Sequence, residues 1–388
     1  MKRAALAVLT VTTLAAADSA LALPAFARRY GLQCHFCHDG YPKLTHVGQR
    51  FKERGFRMEQ EGDFDAEKWI RSLPLAARAH VNRFFIEDFE GSTTGFLKGV
   101  SAGNLGRRVS YWVDDAFLIT EGDDSFRHLK PANAWGRFEL IQAEKLYLKA
   151  GRLELDLPFT QARTPHLFSY DIYNTNTGVE TDTIGSYQEG LEVGGALPGD
   201  VRWSAAVVKG RNSETAERFS DDAGDFDGNL FLRLSKRFDR HRGGGFAYIG
   251  RNTLAPAAGV EFRNDILRLG LDADIWVRRL NLYGVFIHAR NSNSIPDTRA
   301  RRGTNEPLTF DGGFAQADWH VHDRVVLSGR LNLVNRPSDE NYRRKTTYSS
   351  FFPGIQVFLF ERGKLSFEYG LHNRQRRNFG AVQAEVAF

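Results

Sequence analysis

Cys34-His35-Phe36-Cys37-His38 is the stretch of this chain whose residue types and spacing prescribe a chemistry. Two thiols one helical turn apart suit the two vinyl groups of a single porphyrin, and the adjacent imidazole of His38 reaches the iron as proximal ligand. A thiol pair or half of a zinc site are the plainer readings. Zinc would want two further ligands at comparable spacing, and the chain has only 2 cysteines, both in this motif. The expectation is one covalently bound c-type haem with Cys34 and Cys37 as its thioether anchors.

The sixth iron position has two candidates. Met58 follows Gly55, where a chain leaving a helix can fold back over the far haem face. A thioether there favours a high potential; the plainer reading is a methionine filling a packing gap. His46 is the rival ligand, although a histidine on a polar helix face more often meets solvent. His35 sits within the motif, beside the haem or exposed, and His80 opens the first strand, where it can face a lumen. No His/Arg pair for acid–base work on peroxide stands out by spacing, which favours an electron relay over a peroxidase-like enzyme.

The motif needs elements to hold it. Lys2 and Arg3, the apolar run 4–17 and then Ala20-Leu21-Ala22 fit a cleaved export signal over 1–22, with Leu23 first in the mature chain. Residues 23–74 do not read as strands. Pro42 fits the first turn of a helix running to about Arg54, with Leu44, Val47 and Phe51 as its apolar stripe and Gly55 closing it. A segment this short is marginal as a domain of its own, so it should lean on the rest of the chain.

From Leu75 to the end the period is two. Leu267, Leu269, Leu271, Ala273, Ile275 and Val277 alternate with Arg268, Gly270, Asp272, Asp274 and Trp276; Leu365, Phe367, Tyr369 and Leu371 alternate with Ser366, Glu368, Gly370 and His372. Leu191, Val193 and Leu197, then Val201, Trp203, Ala205 and Val207, repeat the pattern. Tight connections at 104–106, 141–144, 198–200, 239–244, 278–279, 322–324 and 361–363 take turns with polar stretches at 120–133, 156–187, 211–227, 291–308 and 336–348. The expectation for 75–388 is a mainly β fold, a transmembrane antiparallel barrel of about 16 strands with its short turns in the periplasm. The short helical haem segment would enter from that side as a plug. Phe388, at period two with Val386, Ala384 and Val382, is similar to the terminal aromatic of outer-membrane barrels.

Charge narrows the partners. The 52 basic and 47 acidic residues are interspersed, and a net +5 spread this way excludes a nucleic-acid reader. Arg299, Arg301 and Arg302, like Arg374, Arg376 and Arg377, fall in expected loops, where they solvate the loop or meet anionic lipopolysaccharide. The stretch from Asp156 to Gln188 is long enough to enter the lumen, where His166, Asp171, Glu180 and Asp182 with Tyr170, Tyr173 and Tyr187 would offer iron an oxygen-rich perch. A solvated outer loop is the simpler expectation for it. The same holds for the acidic group Asp221, Asp222, Asp225 and Asp227, and lumen-facing Arg268, Asp272, Asp274, Arg330 and Glu368 need no role beyond a polar interior.

Leu23-Pro24-Ala25-Phe26-Ala27, then the Cys34–His38 motif, Pro42, Leu44, Gly48, Phe51 and Gly55-Phe56, followed by a porin-like barrel, resembles the fused monohaem cytochrome–porins of the bacterial outer membrane, among them the iron-oxidising outer-membrane cytochromes. The motif residues carry the likeness; the barrel matches in architecture only. The resemblance implies an outer-membrane electron-transfer protein relaying electrons from an extracellular donor, Fe(II), to a periplasmic carrier such as a soluble cytochrome c, an Fe(II)-oxidase type of activity. Two alternatives stay open: a solute porin with a structural haem plug, and a haem enzyme acting on a small oxidant.

Overall fold

The computed structural model describes residues 25–39, 43–58, 67, 69, 74–87, 91–120, 126–142, 144–159, 167–174, 184–185, 187–209, 228–257, 260–292, 307–337, 345–360, 362–372 and 378–387. The export signal, Leu23, Pro42, His166, Glu180, Asp182, the acidic group at 221–227, the arginines at 299–302 and 374–377, and Phe388 lie outside the described residues.

The N-terminal segment carries α1 (Ala25–Tyr30), α2 (Cys34–Cys37) and α3 (His46–Glu53). The first half of the wall is β1 (Leu75–Ile86), β2 (Thr93–Leu105), β3 (Val109–Thr120), β4 (Phe126–Ile141), β5 (Leu146–Glu154), β6 (Tyr187–Leu197), β7 (Val201–Val208) and β8 (Asn229–Phe238). The second is β9 (His241–Ala257), β10 (Val260–Val277), β11 (Leu280–Asn291), β12 (Leu308–His322), β13 (Val325–Pro337), β14 (Lys345–Phe360), β15 (Gly363–His372) and β16 (Phe379–Ala387). Each strand pairs antiparallel with its sequence neighbours, and β16 returns to β1 in register Val81↔Ala384, closing the barrel. Closure satisfies every strand edge, which is what lets a sheet stand in hydrocarbon.

The two-residue period sets the two surfaces. Leu269, Leu271 and Ile275 face outward, Leu271 being 67% exposed, while Arg268 and Asp272 between them are buried toward the lumen. Leu365, Phe367 and Leu371 point out and Lys364, Ser366 and Glu368 point in. An apolar outside around a charged inside is stable only where lipid replaces water at the wall.

All seven expected tight connections join consecutive strands at the end where β1 begins and β16 finishes. Glu144, Asp200, Asp239 and Arg278 adopt positive φ in four of them (62°, 57°, 55° and 54°), the left-handed conformation that tight hairpins demand. Four boundaries differ from the sequence reading, one of them the start of β14 at Lys345, inside the expected connection at 336–348. β4 starts at Phe126 inside the expected connection at 120–133, and β9 starts at His241 inside the one at 239–244. The last helix of the N-terminal segment begins at His46, not at Pro42: Thr45 is its N-cap and accepts from the Gly48 amide at 3.1 Å. Leu44 therefore lies ahead of the helix, bridged to His38.

A larger departure concerns the connection between β5 and β6. Its described residues are not a solvated outer loop. Leu155, Leu157, Tyr170, Ile172, Tyr173 and Ile184 are buried in one cluster with lumen-facing Phe231, Phe246, Tyr283, Ile287, Phe310 and Phe314. Tyr170 stacks on Phe314 at 3.9 Å, and Asp171 accepts from Ser350 Oγ at 3.0 Å, so these two groups make wall contacts. Arg330 and Glu368 pin the loop: Arg330 donates to the Phe168 carbonyl at 2.9 Å, while Glu368 accepts from the Leu167 and Phe168 amides at 2.7 and 3.1 Å. Their own ion pair closes at 3.0 Å.

Candidate cofactor site

Cys34 and Cys37 begin and end the single turn of α2, their sulfurs not joined in a disulfide. His38 leaves that turn extended, its amide donating to Cys34 O at 2.9 Å. The motif is braced from behind by α3. Thr45 donates its amide to Cys37 O at 2.9 Å and its hydroxyl to Phe36 O at 3.0 Å. Gly48 makes the approach feasible, because a Cβ there would stand 2.0 Å from Cys37 O. Burial, and then the neighbouring Cys34, push the Cys37 thiol up, so it is protonated when unmodified.

In front of the motif lies a cavity with about 1380 Å³ of atom-free space, open to solvent. Cys34, Cys37, His38 and Met58 all line it. Phe26, Tyr30, Phe51, Phe56 and Trp112 form the rest of an aromatic collar, with Phe26 stacked on Phe56 at 5.0 Å and edge-on to Phe51 at 4.9 Å. Trp112 comes from the wall and lies 5.6 Å from Phe56. Arg78 and Lys98, also from the wall, line it with their counter-charges in place, Glu385 at 3.0 Å and Asp114 at 3.0 Å.

Met58 reaches this cavity through a strained turn. Gly55 and Phe56 have φ of 64° and 61°, and a left-handed Phe costs roughly 1–2 kcal/mol. The turn is held by four bonds: the Gly55 amide donates to Lys52 O at 3.0 Å and the Phe56 amide to Phe51 O at 2.9 Å, and Phe56 O accepts from Asn104 Nδ2 at 2.7 Å and from Tyr30 OH at 3.1 Å. His46, by contrast, is exposed at the start of α3 and does not line this cavity. His35 is exposed, and His80 stacks on Phe96 at 4.6 Å, apart from the cavity. Among the described residues, no group of three or more His, Cys, Asp or Glu could hold a metal ion.

The residues that sequence reasoning missed are those that fasten the segment to the barrel. Arg54 Nε pairs with Glu144 at 2.6 Å, Arg50 with Asp200 at 3.1 Å and Lys52 with Glu154 at 3.3 Å; Arg57 donates to Gly106 O at 3.1 Å. Glu53 runs the other way, accepting from Arg237 at 3.1 Å with Arg202 at 3.5 Å. Burial alone would raise the Glu53 carboxyl, but Arg202, Arg237 and Arg242 outweigh it and hold it below the usual range. Lys43 is buried too, which alone would depress it; Asp318 at 2.9 Å, Asp39 and Asp274 hold it above its ordinary value. Glu144 was the visible clue: a tight hairpin favours Asn or Gly at positive φ, and a Glu there has a reason to be kept.

A closed barrel of 16 strands among the described residues, apolar outside and charged within, defines the class as a porin-like outer-membrane β-barrel. Solved structures agree. The chain is similar to the Salmonella typhi OmpF complex with daunomycin, at TM-score 0.60 and 10% identity over 81% of this chain and 97% of that one. It is similar to the anion-selective porin from Comamonas acidovorans (TM-score 0.57, 11% identity, 81% and 98%) and to the outer-membrane channel DcaP of Acinetobacter baumannii (TM-score 0.54, 11% identity, 81% and 96%). At such identities the likeness carries the fold alone. No protein-family model matches the chain, and no curated protein does.

Proposed function

We propose that this barrel is an outer-membrane cytochrome–porin, exported by a cleaved signal and carrying one covalent c-type haem on Cys34 and Cys37, that relays single electrons from an extracellular donor, Fe(II), to a periplasmic carrier such as a soluble cytochrome c. The observation that carries the reading is the convergence of both thiols, the His38 imidazole and the Met58 thioether on one aromatic-walled cavity. The donor set fits the group: two thioether-forming sulfurs, a proximal nitrogen and a soft distal sulfur. When bound, haem supplies a one-electron couple, so that one Fe(II) is oxidised for each electron passed inward and no bond is made or broken.

The protein's share is placement. His38 is held by the α2 turn and its bridge to Leu44; Met58 is delivered by the Gly55-Phe56 turn. The aromatic collar would give a bound haem an apolar surround, and Arg78 and Lys98 would place positive charge beside its carboxylates. Met58→Ala tests the ligand set: the reduced-haem spectrum should change and the midpoint potential fall. An unchanged spectrum and potential would refute Met58 as ligand. Haem that Fe(II) fails to reduce would refute the donor.

A second reading, a solute porin whose haem segment is a structural plug, is favoured by the fold likeness to porins. Open-channel conductance of the wild-type protein in a planar bilayer would support it over the relay. A high-spin, five-coordinate spectrum would instead favour the haem enzyme acting on a small oxidant.

A further inference from the structure

Beside the cysteine cavity, sharing Leu44 and Lys52 with it, lies a second chamber of about 820 Å³ of atom-free space, also open to solvent. It is enclosed by the first turn of α3, the inward loop and the wall of β8 to β11. Its charge is lopsided. Among the described residues, Lys43, Lys52, Arg237, Arg240 and Arg242 line it against a single carboxylate, Asp274.

Three of the cations are answered by groups behind the lining: Lys43 by Asp318, Lys52 by Glu154 and Arg237 by Glu53. Asp274 accepts from Asn281 at 2.6 Å and adds to the field that holds Lys43. Among the described residues Arg240 and Arg242 form no ion pair. Arg242 is nonetheless fixed, donating to the Pro158 carbonyl at 2.9 Å and lying 5.8 Å from the Phe159 ring. Arg240 lies 5.9 Å from the Trp276 ring. Glu53 is within electrostatic reach of Arg242, but it is already engaged by Arg202 and Arg237.

Two guanidinium groups, one fastened to the Pro158 carbonyl and one beside the Trp276 ring, thus face a solvent-open chamber without an ion-pair partner among the described residues. The N-terminal turn of α3 adds to them, since Thr45 and His46 line the same chamber and the positive end of a helix dipole favours an anion. A planar fork binds tetrahedral and carboxylate oxyanions through paired charge-assisted bonds, which a halide cannot reproduce. We propose that this chamber is a binding site for a small dianionic oxyanion of the phosphate class, at the periplasmic end of the lumen. The site does not depend on haem, so its failure and that of the relay are separable.

The test uses the full chain folded in detergent micelles, titrated with inorganic phosphate at a constant ionic strength of about 0.15 M made up with chloride. Binding is read by calorimetry and by Trp276 fluorescence. We expect saturable binding that weakens at least tenfold in an Arg240→Gln/Arg242→Gln double variant whose heat-modifiable band is unchanged. Arg279→Gln, an exposed arginine of a neighbouring turn paired with Asp323, should bind phosphate like the wild type. Absence of saturable binding, a double variant that binds as well as the wild type, or an equal loss in Arg279→Gln would each overturn the proposal.

Discussion

Gly48 is where the cofactor motif and its brace meet. An alanine methyl would collide with Cys37 O at 2.0 Å, and neither partner is a flexible side-chain end. Gly48→Ala should part α2 from α3 and misplace the thiols; under the proposed function this means little covalent haem on a peroxidase-stained gel, while the barrel still shows its heat-modifiable shift. That Cys34, Cys37 and His38 stand together was legible in sequence because their spacing puts them on one turn, and all three line one cavity. The choice between Met58 and His46 was not. Both sit near the motif in sequence, and two successive left-handed residues, Gly55 and Phe56, decide which of them faces the cavity. A glycine announces such a turn; a phenylalanine in the same conformation gives no local signal.

At the level of elements, α3 is held to the wall by charge, so its hold should depend on pH. Because Glu53 has its carboxyl held below the ordinary value, its stabilisation is full above the unfolded glutamate pKa of about 4.3 and is lost as pH falls through the lower folded value. Corrected for the slower intrinsic chemistry at low pH, hydrogen exchange of residues 43–58 should therefore lose protection on acidification in the wild type. In Glu53→Gln it should already be fast at neutral pH, with a penalty of about 3 kcal/mol for leaving Arg202 and Arg237 short of their partner, and respond less to acid. Strand positions were readable wherever one face meets lipid. β4 was read short because Arg127, His128, Lys130 and Pro131 look like a loop. A barrel strand that continues past the hydrocarbon has water on its outer face, and the two-residue alternation fades there although the ladder goes on. β9 was read short because Gly243, Gly244 and Gly245 mimic a turn, whereas Gly244 lies in the strand with Leu234 O only 2.8 Å from where a Cβ would be.

For the whole molecule, the lumen is filled from two directions, by the N-terminal segment at the short-turn end and by the inward loop. The loop's polar residues resemble those of a solvated connection, while Leu155, Leu157, Ile172 and Ile184, which carry it inward, have no periodic spacing to mark them. Arg330, 0% exposed, is the fastener whose removal should show it. Arg330→Ala leaves Glu368 without its ion-pair partner and the Phe168 carbonyl without its donor, so single-channel conductance should rise well above that of the wild type. An unchanged conductance would mean that the loop holds without it.

Glu144 sets two interests of the molecule against each other. Its backbone would be more comfortable as glycine, by about 1 kcal/mol, yet its carboxylate grips Arg54 and Arg202, each at 2.6 Å. Glu144→Gly should thus lower the protection of residues 43–58 from hydrogen exchange, because about 1 kcal/mol of relief in the turn does not offset the loss of two part-buried ion pairs. An easy turn and a firmly held N-terminal segment are competing demands on this one position, and a sequence chosen for the first alone would leave the second loosely moored.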